Sequence, residues 1–104
     1  MYRVIAFDPV DDFIETLDGD TIGKLLRALN LLETQGYRLG MPHSKHIVGK
    51  IYELRVRGKI EIRIFYGYYT SIIYLLHGFV KKAQKTPIRE LKIAEQRMVS
   101  LTRT

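Results

Sequence analysis

Arg55, Arg57, Arg63 and Phe65 fall at alternating positions in two runs separated by Gly58, and such alternation puts them on one side of a β-hairpin. Guanidinium groups fixed on one face donate in a fork that matches phosphate oxygens, and they could stabilise charge on a phosphodiester as it reacts. The same pattern also describes a solvated face on which Arg55 pairs with Glu61 and Arg63 with Glu53, each exposed pair contributing about 0 to 1 kcal/mol. A second group is the segment His77-Gly78-Phe79-Val80-Lys81-Lys82, continuing to Lys85. Histidine can exchange a proton near neutral pH, lysines neutralise phosphate, and Phe79 or Tyr66 offers a ring on which a base stacks. The structural alternative is an interior His77 bonded to backbone, followed by a solvated basic linker. His43 and His46 have no acidic or cysteine ligand nearby, so no metal site is expected. No phosphate loop, dinucleotide fingerprint or nucleophile elbow occurs, and no cofactor is implied.

Residues 2–7 read as a short strand, and Asp8-Pro9 as a helix start with Asp8 as N-cap. Val10, Phe13, Ile14 and Leu17 recur at helical spacing until Asp18-Gly19-Asp20 breaks the pattern. A second helix is predicted from about Thr21 to Gln35, with Ile22, Leu25, Leu26, Leu29 and Leu32 on its buried stripe and Gly36 as its C-terminal cap. Together these make an antiparallel helical hairpin. Glycines and Pro42 predict a loop between Gly36 and Gly49 that carries His43, Lys45 and His46.

The period then changes to two, with Tyr52, Leu54 and Val56 in one run and Ile60, Ile62 and Ile64 in the next. Setting apolar residues opposite one another aligns Val56 with Ile60, Leu54 with Ile62, Arg55 with Glu61 and Glu53 with Arg63. Ser71 to Val80 is apolar on both faces and reads as a central strand. Thr86-Pro87 opens a last helix that buries Ile88, Leu91, Ala94, Met98 and Leu101 and leaves Arg89, Lys92 and Arg97 solvated. The expected fold is α+β, in the order βααβββα, with a largely antiparallel sheet packed by a helical hairpin and a C-terminal helix.

A chain of 104 residues, 46% hydrophobic and 27% charged, is expected to form one domain over residues 1–104. It can bury roughly two thirds of its extended surface, so its chemistry should sit in a shallow cleft. There is no cysteine, no pattern like a signal peptide and no apolar run of about 18 residues, which predicts a cytoplasmic protein. The net charge of +6 is polarised. Residues 1–36 hold three basic against seven acidic side chains, and the remainder holds fourteen against four. A concentrated positive field draws polyanions, so nucleic acid leads and an acidic protein comes second. A membrane surface is not expected, because no basic amphipathic helix with aromatic residues is found.

The stretches IYELRV, IEIRIFY and IIYLLHGFVKKAQKTPIREL, with the element order, resemble the phage-derived, HigB-like branch of the RelE/ParE type II toxin superfamily. The resemblance implies a RelE-like α+β fold and a toxin neutralised by a cognate helix-turn-helix, HigA-like antitoxin. It further implies an endoribonuclease, an mRNA interferase that cuts messages on the ribosome. Carried over by position, the basic active face is Arg55 of ELR, Arg63 of the next strand, and Lys81 with Lys82 after HGF, with Lys50 before YELR as a further member. His77 and Phe79 match the motif too, His77 as a second-choice acid or base, while Arg57, Tyr66 and Lys85 complete the RNA-binding set. RelE-type members cut RNA with Lys, Arg and Tyr, other HigB members use His, Asp and Tyr, and ParE-type members inhibit gyrase without cleavage. In this chain Arg97 is followed by Met98-Val99-Ser100-Leu101 rather than by an Arg-x-x-x-Tyr arrangement, so the general acid and base stay unassigned. The alternative function is a non-cleaving, ParE-like toxin that acts on gyrase or another protein.

Overall fold

The two runs with a two-residue apolar period become paired strands and those with a helical period become helices in the computed structural model, which describes residues 1–82, 84–85 and 87–103. The elements are β1 (Arg3–Ala6), α1 (Asp8–Glu15), α2 (Gly19–Gln35), β2 (Ser44–Val48), β3 (Ile51–Arg57), β4 (Glu61–Tyr69), β5 (Ile72–Val80) and α3 (Ile88–Thr102). The strands form one open sheet in the order β1-β5-β4-β3-β2, with β1 parallel to β5 and every other pair antiparallel. The α+β class and RelE-like arrangement are therefore as expected. Among the described residues no helix is long and apolar enough to cross a membrane.

Leu54, Val56, Ile62 and Ile64 turn to one face and join Val10, Leu25 and Leu32 of α1 and α2 in the larger core cluster. Residues between them turn to the other face, where Phe65 and Phe79 pack with Ala94 and Met98 of α3. α1 lies on β5, α2 on β3, and α3 on β5 and β4. Helices thus cover β5 on both sides, which accounts for its continuous apolar run. α2 stops at Gly36, whose φ of +53° suits a left-handed cap and whose missing side chain leaves room for the Tyr2 ring.

Five expectations need correction, one being that α3 buries Ile88, which is 70% exposed. The stretch predicted as loop contains β2, an edge strand whose Ser44 is buried against β3 while Lys45 and His46 stay exposed, so no apolar alternation announced it. The β3–β4 hairpin is displaced by two residues from the expected register. Arg55 faces Arg63, Val56 faces Ile62 and Arg57 faces Glu61, leaving Gly58, Lys59 and Ile60 as the turn. Asp8 is the first helical residue rather than the cap, and Phe7 stands at the N-cap without a side-chain bond. In α2 the buried line is Thr21, Leu25, Ala28 and Leu32, while Leu26 is 55% exposed. Thr86, expected to begin the last helix, lies outside the described residues; Pro87 is the N-cap of α3.

Candidate nucleic-acid interface

Alternation along β3, β4 and β5 sends Glu53, Arg55, Arg57, Glu61, Arg63, Phe65, His77 and Phe79 to the α3 side of the sheet. The observed register sets two arginines opposite each other, a like-charge contact that must be offset. Glu53, which has no exposed surface, does this from between them. Its Oε1 accepts a hydrogen bond from Arg55 Nε at 3.0 Å and lies 3.6 Å from Arg63 Nε. Arg63 Nη2 donates to Glu61 Oε2 at 3.0 Å. Arg55 therefore pairs with Glu53 along its own strand, and so does Arg63 with Glu61; the expected cross-strand pair of Arg55 with Glu61 does not form, whereas Arg63 keeps a longer contact with Glu53.

Arg63 is 3% exposed, yet its Nε and Nη1, like Oε2 of Glu53, are buried with no hydrogen-bond partner among the described residues. A buried donor left unmade costs about 1–3 kcal/mol, so the two Arg63 nitrogens are an unfilled demand for an acceptor beside an open cleft. That cleft, about 370 Å³ in volume, is lined by Glu61, Arg63, Lys81, Lys82 and Gln84. Lys81 reaches it because its amide donates to the Glu61 carbonyl at 2.9 Å, which carries the β5 pairing one residue beyond Val80.

The structure thus brings Arg63, Lys81 and Lys82 together, with Arg55 joined to Arg63 through Glu53 and Arg57 exposed across from Glu61. Other expected members lie elsewhere. Lys50 sits in the β2–β3 turn beside Val48, Met98 and Val99, about 16 Å along β3 from Arg55 at the usual strand rise. Tyr66 is 1% exposed on the α1/α2 side, where its hydroxyl pairs with Ser44 and burial pushes its pKa upward. It has no surface on which to stack a base, which corrects that expectation. Phe79 is 7% exposed, its ring 5.3 Å from Phe65 and 5.9 Å from His77, so most of its surface is already spent on packing. Lys85 is exposed and does not line the cleft.

His77 is held by α3 rather than by backbone. Its Nε2 lies 2.8 Å from Glu90 Oε2, and Arg97 Nη1 approaches Nδ1 at 3.5 Å while donating to the Leu76 carbonyl at 2.7 Å. With a donor facing Nδ1, the tautomer carrying hydrogen on Nε2 serves both contacts. Arg97, expected to be solvated, is half-buried in this network. Glu90 and Arg97 are seven residues apart, two helical turns on one face, a spacing that could have flagged them. Among the described residues no three His, Cys, Asp or Glu side chains converge on one point, and His46 Nε2 instead bonds to the Gly49 carbonyl at 2.7 Å.

The arrangement can hold a phosphodiester. Arg63 and Lys81 can meet its non-bridging oxygens, Lys82 can add positive field, and Glu61 supplies a carboxylate at the same cleft. A family model described as Phage derived protein Gp49-like (DUF891) matches residues 12–99, which includes every strand except β1. No curated protein matches the chain.

Proposed function

Because the chain belongs to the phage-derived Gp49-like family, a toxin-like family within the RelE/HigB-like toxin group, we propose that it is the toxin of a type II toxin-antitoxin pair and cleaves messenger RNA on the ribosome. The observation that carries this reading is the convergence of Arg63, Lys81 and Lys82 on one cleft, with two buried Arg63 nitrogens that lack partners among the described residues. An RNA phosphate supplies the missing acceptors when the Arg63 guanidinium, buried in the free chain, turns outward to the cleft.

In the proposed reaction a ribose 2′-hydroxyl attacks the adjacent phosphorus. A bond forms from phosphorus to O2′, the bond to O5′ breaks, and the products are a 2′,3′-cyclic phosphate and a 5′-hydroxyl end. Arg63 and Lys81 stabilise charge gathering on the non-bridging oxygens. Glu61 takes the 2′-hydroxyl proton, and the Lys82 ammonium gives one to the departing O5′. Attack needs an unstacked single strand, which an open cleft admits more readily than a duplex. His77 is committed to Glu90, so in this scheme it anchors α3 instead of moving protons. The cognate partner is a helix-turn-helix antitoxin that covers the basic face.

Primer extension on cellular messages after induction tests the reading. Wild type should create specific new 5′ ends, and Lys81→Ala/Lys82→Ala, a pair at the mouth of the cleft, should abolish them with the far-UV spectrum unchanged. Intact messages together with inhibited DNA supercoiling would transfer the protein to the non-cleaving, gyrase-directed alternative.

A further inference from the structure

A second cleft of about 360 Å³ lies at the far side of β3, lined by Lys24, Arg27, Ala28 and Leu31 of α2, Pro42 and His43 of the following loop, and Arg55, Val56 and Arg57 of β3. Three separate parts of the chain contribute four basic side chains and a histidine to it, and no carboxylate is among its lining residues. Lys24, Arg27 and Arg57 are exposed, and none takes part in an ion pair among the described residues. The placement runs against the charge of the surrounding sequence. Residues 1–36 hold only three basic side chains against seven acidic ones, and two of those three are here. Uncompensated positive charge gathered in one groove raises the local concentration of anions.

The sheet edge gives the groove its direction. β2 pairs with β3 only as far as Leu54, after which the Arg55 amide donates to the His43 carbonyl at 2.8 Å and the strand continues to Arg57 as an edge. Arg57 faces Glu61, a wall of the cleft that holds Arg63, Lys81 and Lys82. The two clefts therefore flank one cross-strand pair, Arg57 in the second and Glu61 in the first. Arg55 lines the second cleft and is tied through Glu53 to Arg63, which lines the first.

We propose that this groove is a second phosphate-binding site, which takes the sugar–phosphate backbone of nucleotides flanking the reacting linkage on the same single strand. The inference rests on the RNA reading above and assigns Lys24, Arg27, His43 and Arg57 to that substrate. Recognition is chiefly by backbone charge, because the lining offers four cations and aliphatic side chains and no Phe, Tyr or Trp ring on which to stack a base. Lys24 lies over the β3–β4 turn. Its Nζ stands 2.7 Å from where a Cβ on Gly58 would lie, so glycine at the β3–β4 turn leaves room for the ammonium there.

Binding of a twelve-nucleotide single-stranded RNA, measured by fluorescence anisotropy across a range of salt, tests this directly. Lys24→Ala/Arg27→Ala should weaken binding to poly-U and poly-A twelve-mers alike and should reduce the slope of log K against log salt by about 1.4, since each single-strand phosphate contact contributes about 0.7. Lys92→Ala/Arg103→Ala removes the same net charge from α3 and its C-cap and should leave the slope almost unchanged. Gly58→Ala, which displaces the Lys24 ammonium without deleting it, should give a smaller fall. RNA binding with an unaltered slope in the α2 double variant overturns the second site even if messages are still cut. Binding without cleavage, but with the lowered slope, overturns the nuclease reading and supports the groove. Failure of the wild-type chain to bind RNA, with binding of an acidic peptide instead, overturns the groove as an RNA site.

Discussion

Glu53→Gln keeps the shape of the side chain and deletes the one buried charge that stands between Arg55 and Arg63. At an effective dielectric of 20, unit charges at the observed 3.0 and 3.6 Å separations attract with about 5 kcal/mol each. Much of that offsets the desolvation of three charged groups, which the variant does not recover for the arginines. Removing one partner from a buried ion pair costs about 3–5 kcal/mol. Arg55, whose side chain is 13% exposed, can turn toward water, and Arg63 keeps Glu61, so the expected loss is at the lower end, about 3 kcal/mol. Against a typical total stability of 5–15 kcal/mol this is large, and it corresponds to a fall in Tm of roughly 12–24 °C for a chain near this size. Urea denaturation followed by far-UV circular dichroism should show a lower midpoint with an unchanged m-value. The same variant should bind single-stranded RNA more tightly than wild type under folding conditions, because Arg63 is released toward phosphate and the net charge rises by one. A stability loss below about 1 kcal/mol would refute the account of Glu53 as the group that permits two opposed arginines.

The two-residue turn between β4 and β5 places Thr70 and Ser71 at φ of +51° and +67°, a region unfavourable for side chains branched at Cβ; Thr70→Asn/Ser71→Gly should raise stability by about 1 kcal/mol in thermal denaturation. Tyr66→Phe leaves the buried Ser44 hydroxyl without its partner and should cost about 1–3 kcal/mol, while message cleavage per folded molecule stays unchanged; a loss of cleavage alone would return Tyr66 to the site. Lys59, bonded to Asp18 at 2.7 Å, holds that carboxyl down at about 2 from 3.8. The depressed folded pKa means the contribution is present above the unfolded value and lost as pH falls through about 2, so the difference in Tm between wild type and Asp18→Asn should shrink between pH 4 and pH 2.

What could be read without coordinates follows from where the physics is periodic. Alternation assigned Leu54, Val56, Ile62 and Ile64 to one face and Arg55, Arg57 and Arg63 to the other, and the structure agrees. It could not choose between registers two residues apart, because a shift of two preserves both faces. Opposite charges suggested the wrong one, since Glu53 and Glu61 satisfy arginines two residues along their own strands instead of across the hairpin. β2 was hidden because an edge strand with one wholly buried residue needs no hydrophobic pattern. The leucines of α2 outnumbered the small residues Thr21 and Ala28 that lie against the sheet, which drew the buried stripe to the wrong side of Leu26. Lys24 and Arg27 went unnoticed in an acidic half, as only folding brings them beside Arg55 and Arg57.

The parallel pairing of β1 has a bearing on how the molecule comes into being. Arg3 to Ala6 find their sheet neighbours at Ile72 to Leu75, so this strand has no place to dock until the residues between them have been made. Contacts so distant in sequence make for late completion. The β1 edge of the sheet is therefore laid down only once β5 is in place, so completion of the sheet waits on a segment far along the sequence.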